Sequence, residues 1–172
     1  HVLALDHRGH GDSEWADPNH YQLIDYVSDI EALFNKEDLK DVILIGHSAG
    51  GRNAFMYAIE NISKIKALII VDIDPDGFNL ESQLMFRKYD NESDHWHSLD
   101  LVIERLRTRQ PLSSEDMLLH QALYMTKQDS KGVFLWKRDR RLLDNYERPD
   151  LWNYWSQITC PTLIIRGRQS KL

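Results

Sequence analysis

One cysteine in 172 residues, Cys160, leaves no internal disulfide to form. This is therefore not the stapled framework of a small secreted domain; the usage fits a reducing compartment, and a cytoplasmic location is expected. Long apolar runs are missing too. Stretches such as residues 67–71 and 163–165 fall far short of the roughly 20 residues a membrane span requires, so no membrane is expected as a partner. Nor is there an excess of positive charge. Against 27 Asp and Glu stand 21 Lys and Arg, a formal net charge of −6, which is the wrong sign for gripping phosphate backbones and excludes nucleic acid as an expected partner. Repeats and low-complexity tracts are absent. What is present is 42% hydrophobic and 10% aromatic residues, enough for one substantial core, and a chain this long hides roughly 70% of its extended surface on folding. Such a composition excludes disorder.

Residues 2–5 read as a buried strand already in progress, with neither initiator methionine nor signal peptide ahead of them. The chain stops soon after another strand-like run, so the sequence is expected to be the middle of a longer protein. A turn-rich stretch at 8–13 follows, and then Leu23, Val27, Ile30, Leu33 and Phe34 recur at the spacing of one helix face. The rhythm repeats: an apolar run at 42–45 ends in glycine, a helical pattern covers 54–59, and a third run occupies 67–71. Strands apolar on both faces, alternating with helices, predict a parallel sheet covered on two sides, an α/β fold. From about Pro75 to Gln157 the chain becomes charged and helical in rhythm, and no strand is expected until 162–165 resumes the earlier pattern. Four of the five tryptophans, Trp96, Trp136, Trp152 and Trp155, lie in this stretch. It reads as an inserted lid whose rings form its own small core. The expected organisation is thus core at 1–75, helical cap at 76–157 and core resumed at 158–172.

Gly46-His47-Ser48-Ala49-Gly50 places a G-x-S-x-G pentapeptide between a strand and a helix. That pattern builds a nucleophile elbow: the serine sits on a sharp, strained turn, where side chains at the flanking positions would strike the neighbouring strand and helix. The turn also sets the Ser48 hydroxyl at a helix N-terminus, where the Ala49 N–H can donate to a developing oxyanion, a contact worth about 2.7 to 4 kcal/mol. Two phosphate-binding patterns fail beside it. Gly46 and Gly51 have the spacing of a nucleotide loop, but Arg52 and Asn53 stand where lysine and a magnesium-binding hydroxyl are required. Gly9-His10-Gly11 follows a strand-like run, yet Glu14 takes the place of the third glycine of a dinucleotide fingerprint.

The chain resembles the α/β-hydrolase superfamily. Residues 6–13, Asp-His-Arg-Gly-His-Gly-Asp-Ser, look like its D-x-R-G-x-G-x-S loop after the fourth strand, and residues 46–51 look like its G-H-S-x-G-G elbow. Val71-Asp72-Ile73-Asp74-Pro75 resembles the end of the sixth strand, and residues 160–167 resemble the seventh. The resemblance implies a partial doubly wound parallel sheet with a helical cap inserted between two strands, running from the fourth strand to the seventh.

A serine nucleophile needs a base and an orienting acid. The family's usual acid follows the seventh strand at G-x-x-D, but here Gly167-Arg168-Gln169 is followed by Ser170. Members without it carry the acid at the end of the sixth strand, which by resemblance is Asp72, with Asp74 the second choice. The family's histidine lies after its eighth strand, beyond Leu172, and its second oxyanion donor comes from a loop before His1. None of His7, His10, His20, His47, His95, His97 and His120 reads as the base, and His47 resembles a common filler of the elbow. The chain as written is therefore expected to be nearly inert, since losing a triad histidine costs on the order of a millionfold in turnover. Asp94-His95-Trp96-His97 lacks the wider ligand pattern of a metal site and reads as solvated loop. Lys137 to Arg141 reads as a solvated, salt-bridged face. Cys160 reads as a small core residue.

The resemblance implies a serine hydrolase that cleaves an ester, lactone or related carbonyl compound through an acyl-enzyme on Ser48, without cofactor or metal. A small, partly apolar substrate is expected, with a lean towards enol-lactonase-like or carbon–carbon-bond hydrolases. An acyltransferase of the same fold, or a ligand-binding member without turnover, remains open at this point. Oligomeric state is not legible.

Overall fold

A computed structural model describes residues 1–170 of the chain. In chain order its elements are α1 (Leu23–Lys36), β1 (Val42–His47), α2 (Ala49–Glu60), β2 (Ile65–Val71), α3 (Leu80–Asp90), β3 (His95–Trp96), α4 (Leu99–Arg109), α5 (Glu115–Met125), β4 (Thr126–Gln128), β5 (Phe134–Trp136), α6 (Trp152–Trp155) and β6 (Thr162–Ile165). They form two compact units, one of residues 1–16 with 88–142 and the other of residues 17–87 with those from 143 onward. The units are cut differently from the expected segments 1–75, 76–157 and 158–172. Among the described residues no helix is long and apolar enough to cross a membrane.

The unit that carries the elbow is built on a parallel sheet in the order β1-β2-β6. Its apolar strands come from the runs read in the sequence, and β6 has the expected bounds. Of the α1 face read from spacing, Leu23, Val27, Ile30 and Phe34 are buried and Leu33 is half-buried, while Tyr26 joins the buried set. At the helix start Asp25 Oδ2 accepts from the Gln22 N–H at 2.9 Å, satisfying one of the orphan donors of the first turn. Together with Phe55, Tyr57 and Ala58 of α2 these residues pack on Leu68 and Ile70. Each such side chain gains about 1.5–3 kcal/mol from leaving water. The strands are apolar on both faces, as their sequence dictates, yet among the described residues helices cover one face only. On the other, Ile43, Ile45, Leu163 and Ile165 remain exposed.

The second unit packs α4 and α5 around Val102, Leu106, Leu118 and Ala122, with Trp96, Phe134 and Trp136 against them. Ser98 and Ser114 cap the two helices, accepting from the Leu101 and Met117 N–H groups. A small antiparallel sheet, β3-β5-β4, lies beside them. No strand was expected here; strands of two and three residues are too short to show a period-2 pattern.

The expected strand at residues 2–5 does not form. Val2 and Leu3 are exposed and belong to no ladder, because strand structure is a property of a pair and an apolar run alone supplies no partner. The loop that follows is nevertheless ordered by its own sequence. The Asp6 carboxylate accepts from the Asp12 N–H at 3.0 Å, and the Ser13 hydroxyl donates to the Asp6 carbonyl at 2.6 Å. Gly11, at φ +58°, lies so close under Asp6 that a Cβ would sit 2.0 Å from its Oδ2. The tryptophans divide: Trp96 and Trp136 meet edge to face in this unit's core, whereas Trp155 stacks on Phe55 in the sheet unit.

Candidate active site

β1 delivers Gly46 to the end of the sheet, and α2 starts at Ala49. Between them Ser48 has φ +51° and ψ −123°, a backbone conformation that L residues rarely adopt and that costs of order 1–3 kcal/mol. The surrounding glycines explain how the turn is tight enough. A Cβ on Gly46 would lie 2.3 Å from the Gly50 carbonyl oxygen and 2.6 Å from the Gly51 Cα, and one on Gly51 would lie 2.8 Å from Ile73 Cγ2. The Gly51 and Arg52 N–H groups donate to the Ser48 carbonyl at 2.9 and 3.2 Å, closing the first turn of α2. The half-buried Ser48 side chain makes no capping bond to that helix. Ala49, the first helical residue, carries an N–H for which the helix itself has no acceptor, as an oxyanion donor requires.

Asp72 stands at the corresponding end of the adjacent strand. The last register triplet is His47, Val71 and Ile165, so Ser48 and Asp72 are the next residues on neighbouring strands. The Ser48 N–H donates to the Val71 carbonyl at 2.9 Å, and the Asp72 N–H donates to the Ile165 carbonyl at 2.7 Å. Asp72 also has positive φ, +52°, which Asp tolerates better than most residues. Its carboxylate accepts from the Gly167 N–H at 3.1 Å and from the Ser170 hydroxyl at 3.0 Å.

Asp74, two residues on, is engaged differently. It pairs with Arg148 and accepts from Asn79 Nδ2 at 2.6 Å, while the Arg52 guanidinium lies 3.9 Å from its Oδ1. Arg52 is buried, 4% exposed. It donates to the carbonyls of Asp74 (2.6 Å), Asp76 (3.4 Å) and Pro149. Burial, and then the neighbouring Arg148, lower its pKa from the usual guanidinium value. Arg148 in turn donates to Ser82 Oγ at 2.9 Å and to the Asp76 carbonyl at 2.8 Å. The sequence marked Arg52 only as a misfit in a nucleotide loop; it is the buried hub that ties residues 74–76 to 148–149. Arg52→Met keeps the volume but strands these acceptors, and removing one side of a buried ionic network costs about 3–5 kcal/mol. We expect a fall in Tm of roughly 10 °C in thermal unfolding, and a fall under ~2 °C would refute the role.

The remaining predicted residues sit as follows. In the unit that holds Ser48 the histidines are His20 and His47. His20 lies 3.7 Å from Asp25, and His47 is an exposed residue of β1. In the other unit, Asp94 of the Asp94 to His97 stretch is claimed by Arg140 at 2.8 Å and Arg138 at 3.5 Å, and His120 packs on Tyr124. Burial lowers the His10 pKa. The basic run is paired as read, Lys137 with Asp12 and Arg141 with Asp139, although Asp139 is only 1% exposed and thus buried rather than solvated. Cys160 packs at the margin of the sheet's core, half-buried. Ser170, read only as a missing acid, proves to be a donor to the acid candidate. Its reach of 98 residues along the chain left no local signal.

The family model described as alpha/beta hydrolase fold matches residues 1–172. A 2-(acetamidomethylene)succinate hydrolase of Mesorhizobium japonicum is 26% identical, the match covering 99% of this chain and 62% of that protein. An sn-1-specific diacylglycerol lipase of Xenopus tropicalis is 34% identical, over 98% of this chain and 54% of that one. A solved structure of E-2-(acetamidomethylene)succinate hydrolase superposes with a TM-score of 0.83 at 24% identity, covering 94% of this chain and 60% of that one. The chain thus spans under two thirds of the length of these relatives.

Proposed function

The chain belongs to the α/β-hydrolase fold family, and from that premise we propose that the full-length protein carrying it cleaves an ester, lactone or related carbonyl compound with Ser48 as nucleophile. The observation that carries this reading is the backbone of Ser48, held at φ +51° on a strand-to-helix turn between glycines that admit no side chain. Strain is retained where the surrounding structure fixes it, and here it presents an oxygen beside a helix N-terminus.

Ser48 Oγ adds to the substrate carbonyl carbon as its proton passes to a histidine base supplied by the full-length protein, none of the histidines read above. The Ala49 N–H receives the negative charge that forms on the carbonyl oxygen. The carbonyl re-forms, the bond to the leaving group breaks, and that group takes the proton from the base. Water, activated by the same base, then attacks the acyl-enzyme and releases the acid and Ser48. Asp72 orients the base from the neighbouring strand end. Two relatives named for cleaving carboxylic derivatives support a carbonyl substrate; a small, partly apolar molecule is the expected class.

The test is to trap the intermediate. The full-length native protein, mixed with p-nitrophenyl butyrate and quenched in acid, should carry one butyryl group on the peptide that contains Ser48. An acyl group on another residue, or turnover with no adduct at any quench time together with inertness towards a fluorophosphonate, would overturn the reading.

A further inference from the structure

We propose that Ser170 is a positioning residue for the Asp72 carboxylate, an inference that rests on reading Ser48 and Asp72 as nucleophile and acid. A carboxylate at a strand end can rotate about two bonds, and an acid that orients a base must not. Here both oxygens are fixed. Oδ1 accepts from the Gly167 N–H at 3.1 Å and Oδ2 from the Ser170 hydroxyl at 3.0 Å. Both donors come from one turn, which the Ser170 N–H closes onto the Gly167 carbonyl at 3.0 Å. That turn hangs from β6, and β6 is registered against β2 up to Val71 and Ile165, with the Asp72 N–H extending the ladder by one bond. The donors and the carboxylate are therefore referred to the same pair of strands.

The chemistry of the two donors suits the role. Both are neutral, so they orient the carboxylate without cancelling its charge, and each oxygen has two lone pairs, which leaves acceptor capacity for an imidazole N–H. A cationic donor in their place would compete with the imidazolium that the acid must stabilise. The hydroxyl at 170 thus makes a carboxylate at the end of β2 usable, in a position where the sequence offered no carboxylate of its own.

The test compares Ser170→Ala and Ser170→Thr in the full-length native protein, with p-nitrophenyl butyrate as substrate. Ser170→Ala should lower kcat about tenfold, the factor that corresponds to ~1.4 kcal/mol in the barrier, with KM within twofold and Tm within ~2 °C of the native protein. Ser170→Thr keeps the hydroxyl and should restore kcat to within about twofold. The inference is overturned if Ser170→Ala keeps native kcat, if the loss sits in KM, or if Thr is as impaired as Ala. Ser48→Ala run in parallel separates the two levels. Turnover that survives Ser48→Ala removes the reading on which this one rests; turnover lost in Ser48→Ala but native in Ser170→Ala removes only the role of Ser170.

Discussion

Ser48→Ala should lower kcat for ester hydrolysis by about a millionfold while KM stays within a few-fold of the native value. Six powers of ten correspond to ~8 kcal/mol of barrier, far more than any other use of this side chain could explain. Were Ser48 a helix cap, its loss would cost ~1 kcal/mol of stability and little activity. The side chain makes no such bond, however, so the alanine variant should unfold at nearly the native temperature. The backbone is strained equally for Ser and Ala, and the Ala49 N–H is untouched. Folding and ground-state binding should therefore survive as chemistry disappears. Circular dichroism melts and steady-state kinetics on the same preparation measure both. Residual turnover above about 1% that is not removed by further purification would point to another nucleophile.

What the sequence revealed follows from how local each determinant is. The elbow is determined within six residues: Gly46 and Gly51 are small because the turn brings strand and helix backbones into contact, and the motif records that contact directly. α1 and β6 were legible for a similar reason, since a face repeated at 3.6 residues or a three-residue apolar run shortly after Pro161 needs no knowledge of the rest of the chain. Residues 2–5 carry the same kind of run and form no strand, because pairing is a non-local fact. Arg52 and Ser170 were missed on the same ground. In the sequence Arg52 stands only as a residue where a nucleotide loop requires lysine, and only the fold brings the carbonyls of Asp74, Asp76 and Pro149 around it. Ser170 was judged by the group it lacks, and its meaning appears only when Asp72 stands beside it.

The choice between Asp72 and Asp74 shows what the structure adds, and it leads to the second large effect. Asp72→Asn should lower kcat by about ten-thousandfold, whereas Asp74→Asn should leave kcat within a few-fold and reduce stability instead. The two carboxylates lie two residues apart and differ in who holds them. Asp74 is paired with Arg148, with Arg52 close by and Asn79 donating; its charge is already spent on a cationic network that braces residues 148–149. Asp72 is held by one backbone N–H and one hydroxyl, both neutral, and it stands in register beside Ser48. An orienting acid must keep its charge for the imidazolium that forms during proton transfer, and an amide there favours the wrong tautomer; in well-studied triads the loss is of this size. Asn at 72 can still accept from Gly167 through its oxygen, and its amide can donate to Ser170 Oγ, so the variant should stay folded. That separates the two roles cleanly. The opposite pattern, with kcat lost in Asp74→Asn and kept in Asp72→Asn, would move the acid to Asp74 and leave Asp72 as a tie between β2 and the turn after β6.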